Sequence, residues 1–111
     1  MAKTPASRKA KGRRLQNEVA EAVKEHLRLA DDDIRSLPMG APGEDIWLSA
    51  AARRLFPFSV ECKYTERLSL YAAFRQAEQN SGDHIPLVVH RRNHKEALAI
   101  LRFSDLLGLL K

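Results

Sequence analysis

Residues 58–64 read FSVECKY, from Phe58 to Tyr64. Strand side chains alternate with a period of two, so Phe58, Val60, Cys62 and Tyr64 share one face while Ser59, Glu61 and Lys63 share the other. The first set suits a core. The second places a carboxylate and an ammonium two residues apart on one side, which calls for either solvent or chemistry. Cys62 falls on the apolar face and is the chain's single cysteine, so an intrachain disulfide is ruled out and the thiol reads as a small hydrophobe.

Working outward from this strand, the chain organises as α-β-β-α-β-β-α. Upstream, Leu15, Val19, Ala22, Val23, Leu27 and Ala30 recur at helical spacing and predict an amphipathic helix ended by Asp31, Asp32 and Asp33. The segment through Pro38, Gly40, Pro42 and Gly43 reads as a loop. A strand is expected over Asp45 to Ser49, joined to FSVECKY through AAARRLFP, with a hairpin as the simplest connection. Downstream, Leu70, Ala73, Phe74 and Ala77 mark a second helix that stops at Asn80, Ser81 and Gly82. IPLVVH and ALAILRF predict two strands around a turn at Arg91 to Lys95, and SDLLGLL a short closing helix capped by Ser104.

With 111 residues, the chain suits one domain, and 30% charged residues beside 44% hydrophobic ones indicate a globular protein. No apolar run reaches the roughly 20 residues of a membrane span, and the basic start lacks the apolar stretch of a signal peptide, so a cytoplasmic location is expected. The net charge of +5 favours a polyanionic partner. Between residues 1 and 14 the positive charge is concentrated: Lys3, Arg8, Lys9, Lys11, Arg13 and Arg14 occur with no acid between them, which reads as a flexible basic arm preceding a domain over 15–111.

Taken alone, Glu61 and Lys63 read as a surface ion pair worth at most about 1 kcal/mol. Their surroundings point elsewhere. Asp45 begins the preceding strand after the loop APGE, and Glu18 lies near the border of the first helix's buried face. Mg²⁺ is a hard cation commonly held by one or two carboxylates together with waters and substrate phosphate, so Asp45 and Glu61 on neighbouring strands suit a half-open cradle. Lys63 projects roughly 6–7 Å further along the same side, where it can orient or deprotonate water and offset charge on a phosphodiester under attack.

GED at Gly43–Asp45 and ECK at Glu61–Lys63, with Glu18 upstream and Gln76 in FRQAEQN, resemble the PD-(D/E)XK nuclease superfamily. The run on to IPLVVHRRN most resembles its small archaeal and phage Holliday-junction-resolvase-like members, over about residues 15–107. The resemblance implies a mixed β-sheet flanked by helices, with Mg²⁺ or Mn²⁺ held by Asp45 and Glu61 and supplemented by Glu18. It also implies Lys63 as the catalytic lysine, Gln76 as its support, and a homodimer acting on branched or four-way-junction DNA. Gln79, one turn later, is the alternative to Gln76. The pattern departs from the family at Glu44, which stands where proline usually precedes the aspartate.

The expected DNA contacts are Arg8, Lys9, Lys11, Arg13 and Arg14 in the arm, Arg53 and Arg54 before the strand, and Arg91, Arg92 and Lys95 in the later turn. No zinc-ligand spacing is found in a chain with one cysteine. HRRNHK is confined to one strand end and turn, unlike the hairpin-and-helix spread of an HNH site. With 6% aromatic residues, the chain has few groups for stacking RNA bases. The remaining alternative is a non-catalytic DNA-binding or assembly protein that retains the nuclease fold.

Overall fold

The computed structural model describes residues 5–110. Lys3 and the rest of residues 1–4 lie outside the described residues, as does Lys111. Residues 5–14 correct the expectation of a flexible arm, because they form the opening turns of a continuous helix, α1 (Pro5–Leu27). The stretch is rich in alanine, arginine and lysine, all good helix formers. The single weak point, Gly12, has a use: a Cβ there would meet the Met39 methyl at 3.0 Å.

After α1, a 3-10 turn at Asp31–Asp33 leads into β1 (Ile34–Ser36), a strand too short to show a period in the sequence. β1 pairs antiparallel with β2 (Ile46–Leu48), with Arg35 opposite Trp47. The expected hairpin from β2 to FSVECKY is replaced by a helix, α2 (Ala50–Leu55). Ser49 is the reason. Its hydroxyl oxygen accepts from the Ala52 backbone N–H at 3.1 Å and its O–H donates to Asp33 at 2.7 Å, capping a run of alanine and arginine that favours helix.

The central sheet is β3 (Phe58–Tyr64), β4 (Ile85–Arg91) and β5 (Leu98–Ile100), in the order β3-β4-β5. β3 and β4 are parallel because α3 (Leu70–Asn80) forms the crossover between them, whereas β4 and β5 pair antiparallel. The result is a small mixed α/β sheet flanked by helices. A backbone bond from the Asp45 N–H to the Val60 carbonyl, 3.0 Å long, joins the β1–β2 ribbon to this sheet. The closing helix α4 spans Phe103–Gly108 and takes Arg102 rather than Ser104 as its N-cap, without a side-chain cap bond.

The faces of β3 divide as their alternation requires. Val60 is buried with Leu15 and Ala20 of α1, Ile46, Leu48, Leu87 and Val89, with Phe58, Cys62 and Tyr64 packed around them. On the opposite side Val88 meets Ala73 and Ala77 of α3. Ser59 and Glu61 lie on this second side and are buried, not solvent-facing.

Candidate active-site cleft

Four of the five residues expected to carry chemistry converge on one cleft of about 430 Å³: Asp45, Glu61, Lys63 and Gln76. Its rim is the loop Met39 to Gly43, turned by Gly40 at φ 81° and Gly43 at φ 93°, a left-handed conformation that glycine adopts without steric cost. Gln79 and Asn80 complete the α3 side.

Each side chain is held by a distinct local device. One Asp45 carboxylate oxygen accepts the Cys62 backbone N–H at 2.7 Å, so the carboxylate that opens β2 is tied across to the middle of β3. Glu61 is only 4% exposed. Its Oε2 lies 3.5 Å from the Lys63 ammonium, while its Oε1 is fully buried without a hydrogen-bond donor. Lys63 in turn donates to Gln76 Oε1 at 2.8 Å, which selects Gln76 over Gln79 as the glutamine that supports the lysine.

Burial raises the pKa of Asp45, against the opposing influence of the Cys62 N–H and the Lys63 charge. Glu61 is also raised, first by burial and then by the nearby Asp45 charge, with Lys63 and Asn80 acting in the other direction. A buried carboxylate made harder to ionise by a second one beside it is a cation-seeking arrangement. Burial, with Asp45 and Glu61 nearby, pushes the Cys62 thiol well up, which keeps it protonated and agrees with its reading as a small hydrophobe.

Glu18 does not join them. It is exposed on α1 and its Oε2 accepts from Arg91 at 2.8 Å. The first-helix residue at the cleft is Gln16, which is 3% exposed and lines it. Helical residues two apart point roughly 200° from one another, so Gln16 and Glu18 cannot both face the cleft. The Gln16 amide donates to the carbonyls of Leu37, at 3.1 Å, and Asp45, at 2.9 Å. It therefore grips both ends of the rim loop. A polar residue next to Leu15 on the buried stripe was the available signal.

The expected DNA contacts also separate. Arg53 is a structural clamp: it donates to the Phe58 carbonyl at 2.9 Å and pairs with Glu44, both side chains being largely buried. That pairing accounts for the glutamate before Asp45, since Glu44 ties the rim loop to α2. Arg91 is likewise engaged, with Glu18, with the Lys95 carbonyl and over the Tyr64 ring. Lys11 donates to Asn93 at 2.9 Å and lies 5.5 Å from the Tyr64 ring centroid. Arg8, Lys9, Arg13, Arg14, Arg54, Arg92 and Lys95 are exposed.

No group of three or more histidine, cysteine, aspartate or glutamate side chains converges among the described residues. The donor set at the cleft is two carboxylates, all oxygen, with one buried carboxylate oxygen lacking any donor. This fits a hard cation that completes its shell with waters and substrate phosphate, and does not fit a closed structural metal site. Comparison of the chain with protein families, with curated proteins and with solved structures found no match. Among the described residues, no helix is long and apolar enough to cross a membrane.

Proposed function

We propose that the protein is a PD-(D/E)XK-type endodeoxyribonuclease that hydrolyses DNA phosphodiesters with Mg²⁺ or Mn²⁺, structure-specific in the manner of Holliday-junction resolvases. One observation carries the reading: the unpartnered, buried Glu61 Oε1 beside Asp45, in an open cleft with Lys63 held by Gln76. A divalent cation bound by Asp45 and Glu61 would supply charge neutralisation and Lewis acidity at the scissile phosphate.

The chain's own residues do the rest. The Cys62 N–H fixes the Asp45 carboxylate, and the sheet fixes Glu61 relative to it. Lys63, steered by Gln76, orients water and stabilises negative charge on the phosphate as the bond to the 3′ oxygen breaks and a 5′ phosphate is left. Gln16 keeps the rim loop at the height of Asp45. The basic residues of α1 add affinity. They crowd the helix's N-terminal half, where a bound polyanion offsets their mutual repulsion.

Paired cuts in a four-way junction call for two copies, and we propose a homodimer. The exposed Phe103, Leu106, Leu107, Leu109 and Leu110 at the C-terminal end offer an apolar surface for it. Sedimentation on and off DNA tests this, and a monomer under both conditions removes the paired-cut version.

A second reading, a non-catalytic DNA-binding or assembly protein, draws on the position of Gln16: the first helix brings an amide to the cleft and turns its carboxylate, Glu18, to Arg91. The two readings part on a labelled four-way junction, linear duplex and single strand incubated with Mg²⁺, Mn²⁺ or EDTA. Cation-dependent nicks that vanish in Lys63→Ala support the nuclease. Binding with no cleavage of any substrate supports the second reading.

A further inference from the structure

The active-site cleft is not isolated. Lys63 and Gln76 form a wall shared with a second cleft of about 250 Å³, whose other lining residues include Thr65, Arg67 and Ser69. Thr65 then leads to a third cleft, of about 420 Å³, lined by His90, Arg92, Lys95, Glu96 and Leu98. The link is direct, since His90 Nε2 lies 2.8 Å from the Thr65 carbonyl. Both connections follow from parallel register: Lys63 stands opposite His90 and Tyr64 opposite Arg91, so the carboxyl ends of β3 and β4 deliver their basic residues to one edge.

Charge along this edge is mostly of one sign. Lys63, Arg67, Arg92 and Lys95 follow one another, against Glu96 and against Glu66, whose carboxylate accepts from the Asn93 N–H at 2.8 Å. Arg67 is exposed and makes no ion pair among the described residues, so it is available to a ligand in a way that Arg53 and Arg91 are not.

We propose that these three clefts form one track for a nucleic-acid backbone, running from the Asp45–Glu61 cleft over the Lys63–Gln76 pair to Arg67 and on to Arg92 and Lys95. Arg67 holds a phosphate beyond the scissile one. The track rests on the reading of the cleft as a nuclease site, and it gives that site a strand direction.

The test is binding of a labelled DNA duplex in EDTA across a salt series, for the wild type, Arg67→Ala, Arg67→Lys, the Arg92→Ala/Lys95→Ala double variant, and Arg35→Ala, whose side chain stacks on Trp47 in the β1–β2 ribbon. Thermal melting verifies folding of each. Arg67→Ala is expected to weaken binding about tenfold at low salt and to reduce the slope of log K against log salt by about one. Arg67→Lys is expected to keep the slope, and the double variant to lose about two. Arg35→Ala is expected to match wild type. An unchanged slope in Arg67→Ala, or an equal loss in Arg35→Ala, overturns the track. A wild type that cuts no DNA in Mg²⁺ or Mn²⁺ overturns the nuclease reading by a separate measurement and leaves the slopes to decide the track.

Discussion

The two faces of β3 are built from the same seven residues and on opposite principles. Toward α1, Val60 packs with Leu15, Leu87 and Val89, large side chains that close the core on that side. Toward α3 the helix contributes only Ala73 and Ala77 to the buried cluster, and Ser59 and Glu61 are buried beneath it. Small residues there bring α3 close enough to desolvate Glu61 while leaving the cleft open at Lys63 and Gln76. One face supplies the stability that the other gives up.

The largest effect that would break this contrast is on activity. Lys63→Ala is expected to lower DNA cleavage in Mg²⁺ by roughly 10²–10³-fold, by analogy with loss of one charge-stabilising donor, while leaving the melting temperature near that of wild type. A single-turnover assay beside a thermal melt reads both. Loss of cleavage accompanied by unfolding would mean that Lys63 belongs to the structure and not to the chemistry.

Next comes the core face. Leu15→Ala removes a side chain that is 1% exposed and is expected to cost about 2–5 kcal/mol in urea unfolding. On the α3 face, Ala77→Leu is expected to cost about 1–3 kcal/mol by overpacking. A neutral Ala77→Leu would show that α3 does not press on the sheet and that Glu61 is less confined than its burial indicates.

Gln16→Leu tests the hinge between the two faces. It keeps the bulk but removes the Gln16 donor from the Leu37 carbonyl and one of two donors from the Asp45 carbonyl, which also accepts from the Leu37 N–H at 2.8 Å, a cost of about 1–3 kcal/mol. Cleavage is expected to fall with it because Asp45 loses its rim. Gln16→Glu, which restores a first-helix carboxylate but cannot donate to those carbonyls when ionised, is expected to do no better. Recovery of cleavage in that variant would argue for a third metal-binding acid in place of a loop clamp.

The smallest effect has the opposite sign. Because burial raises the pKa of both Asp45 and Glu61, the folded state holds more protons than the unfolded state between the ordinary carboxylate value and the raised one. Stability therefore falls as pH rises through that window and stays lower above it. Glu61→Gln removes the buried charge and is expected to stabilise the metal-free protein at neutral pH by about 1 kcal/mol, or about 4–8 °C in melting temperature, while abolishing cleavage. Mg²⁺ should raise the melting temperature of wild type and not of the variant. A melting temperature that drops in Glu61→Gln would mean that the carboxylate contributes to folding without a cation.

Much of this was legible from residues 58–64 and their neighbours. Alternation by itself assigned Val60 and Cys62 to one face of β3 and Glu61 and Lys63 to the other, because a period of two depends only on backbone geometry. Helical spacing located α1 from Leu15 onward and α3, whereas the mixed α/β sheet was implied by the family resemblance and not by the order of elements. Asp45, Glu61, Lys63 and Gln76 could be named together. What spacing could not decide was where each exposed side chain would find a partner. Whether Glu18 or Gln16 faces the cleft turns on the rotation of α1 against β3. Whether Arg53 meets DNA or Glu44 turns on a loop folding back over a helix that stood in place of a hairpin. Short strands such as β1 carry too few residues to show a period, and a cap such as Ser49 acts only once Asp33 has been brought to it. Local sequence determines the faces of its own element; tertiary contact decides which charges are buried, which are paired and which remain free to act.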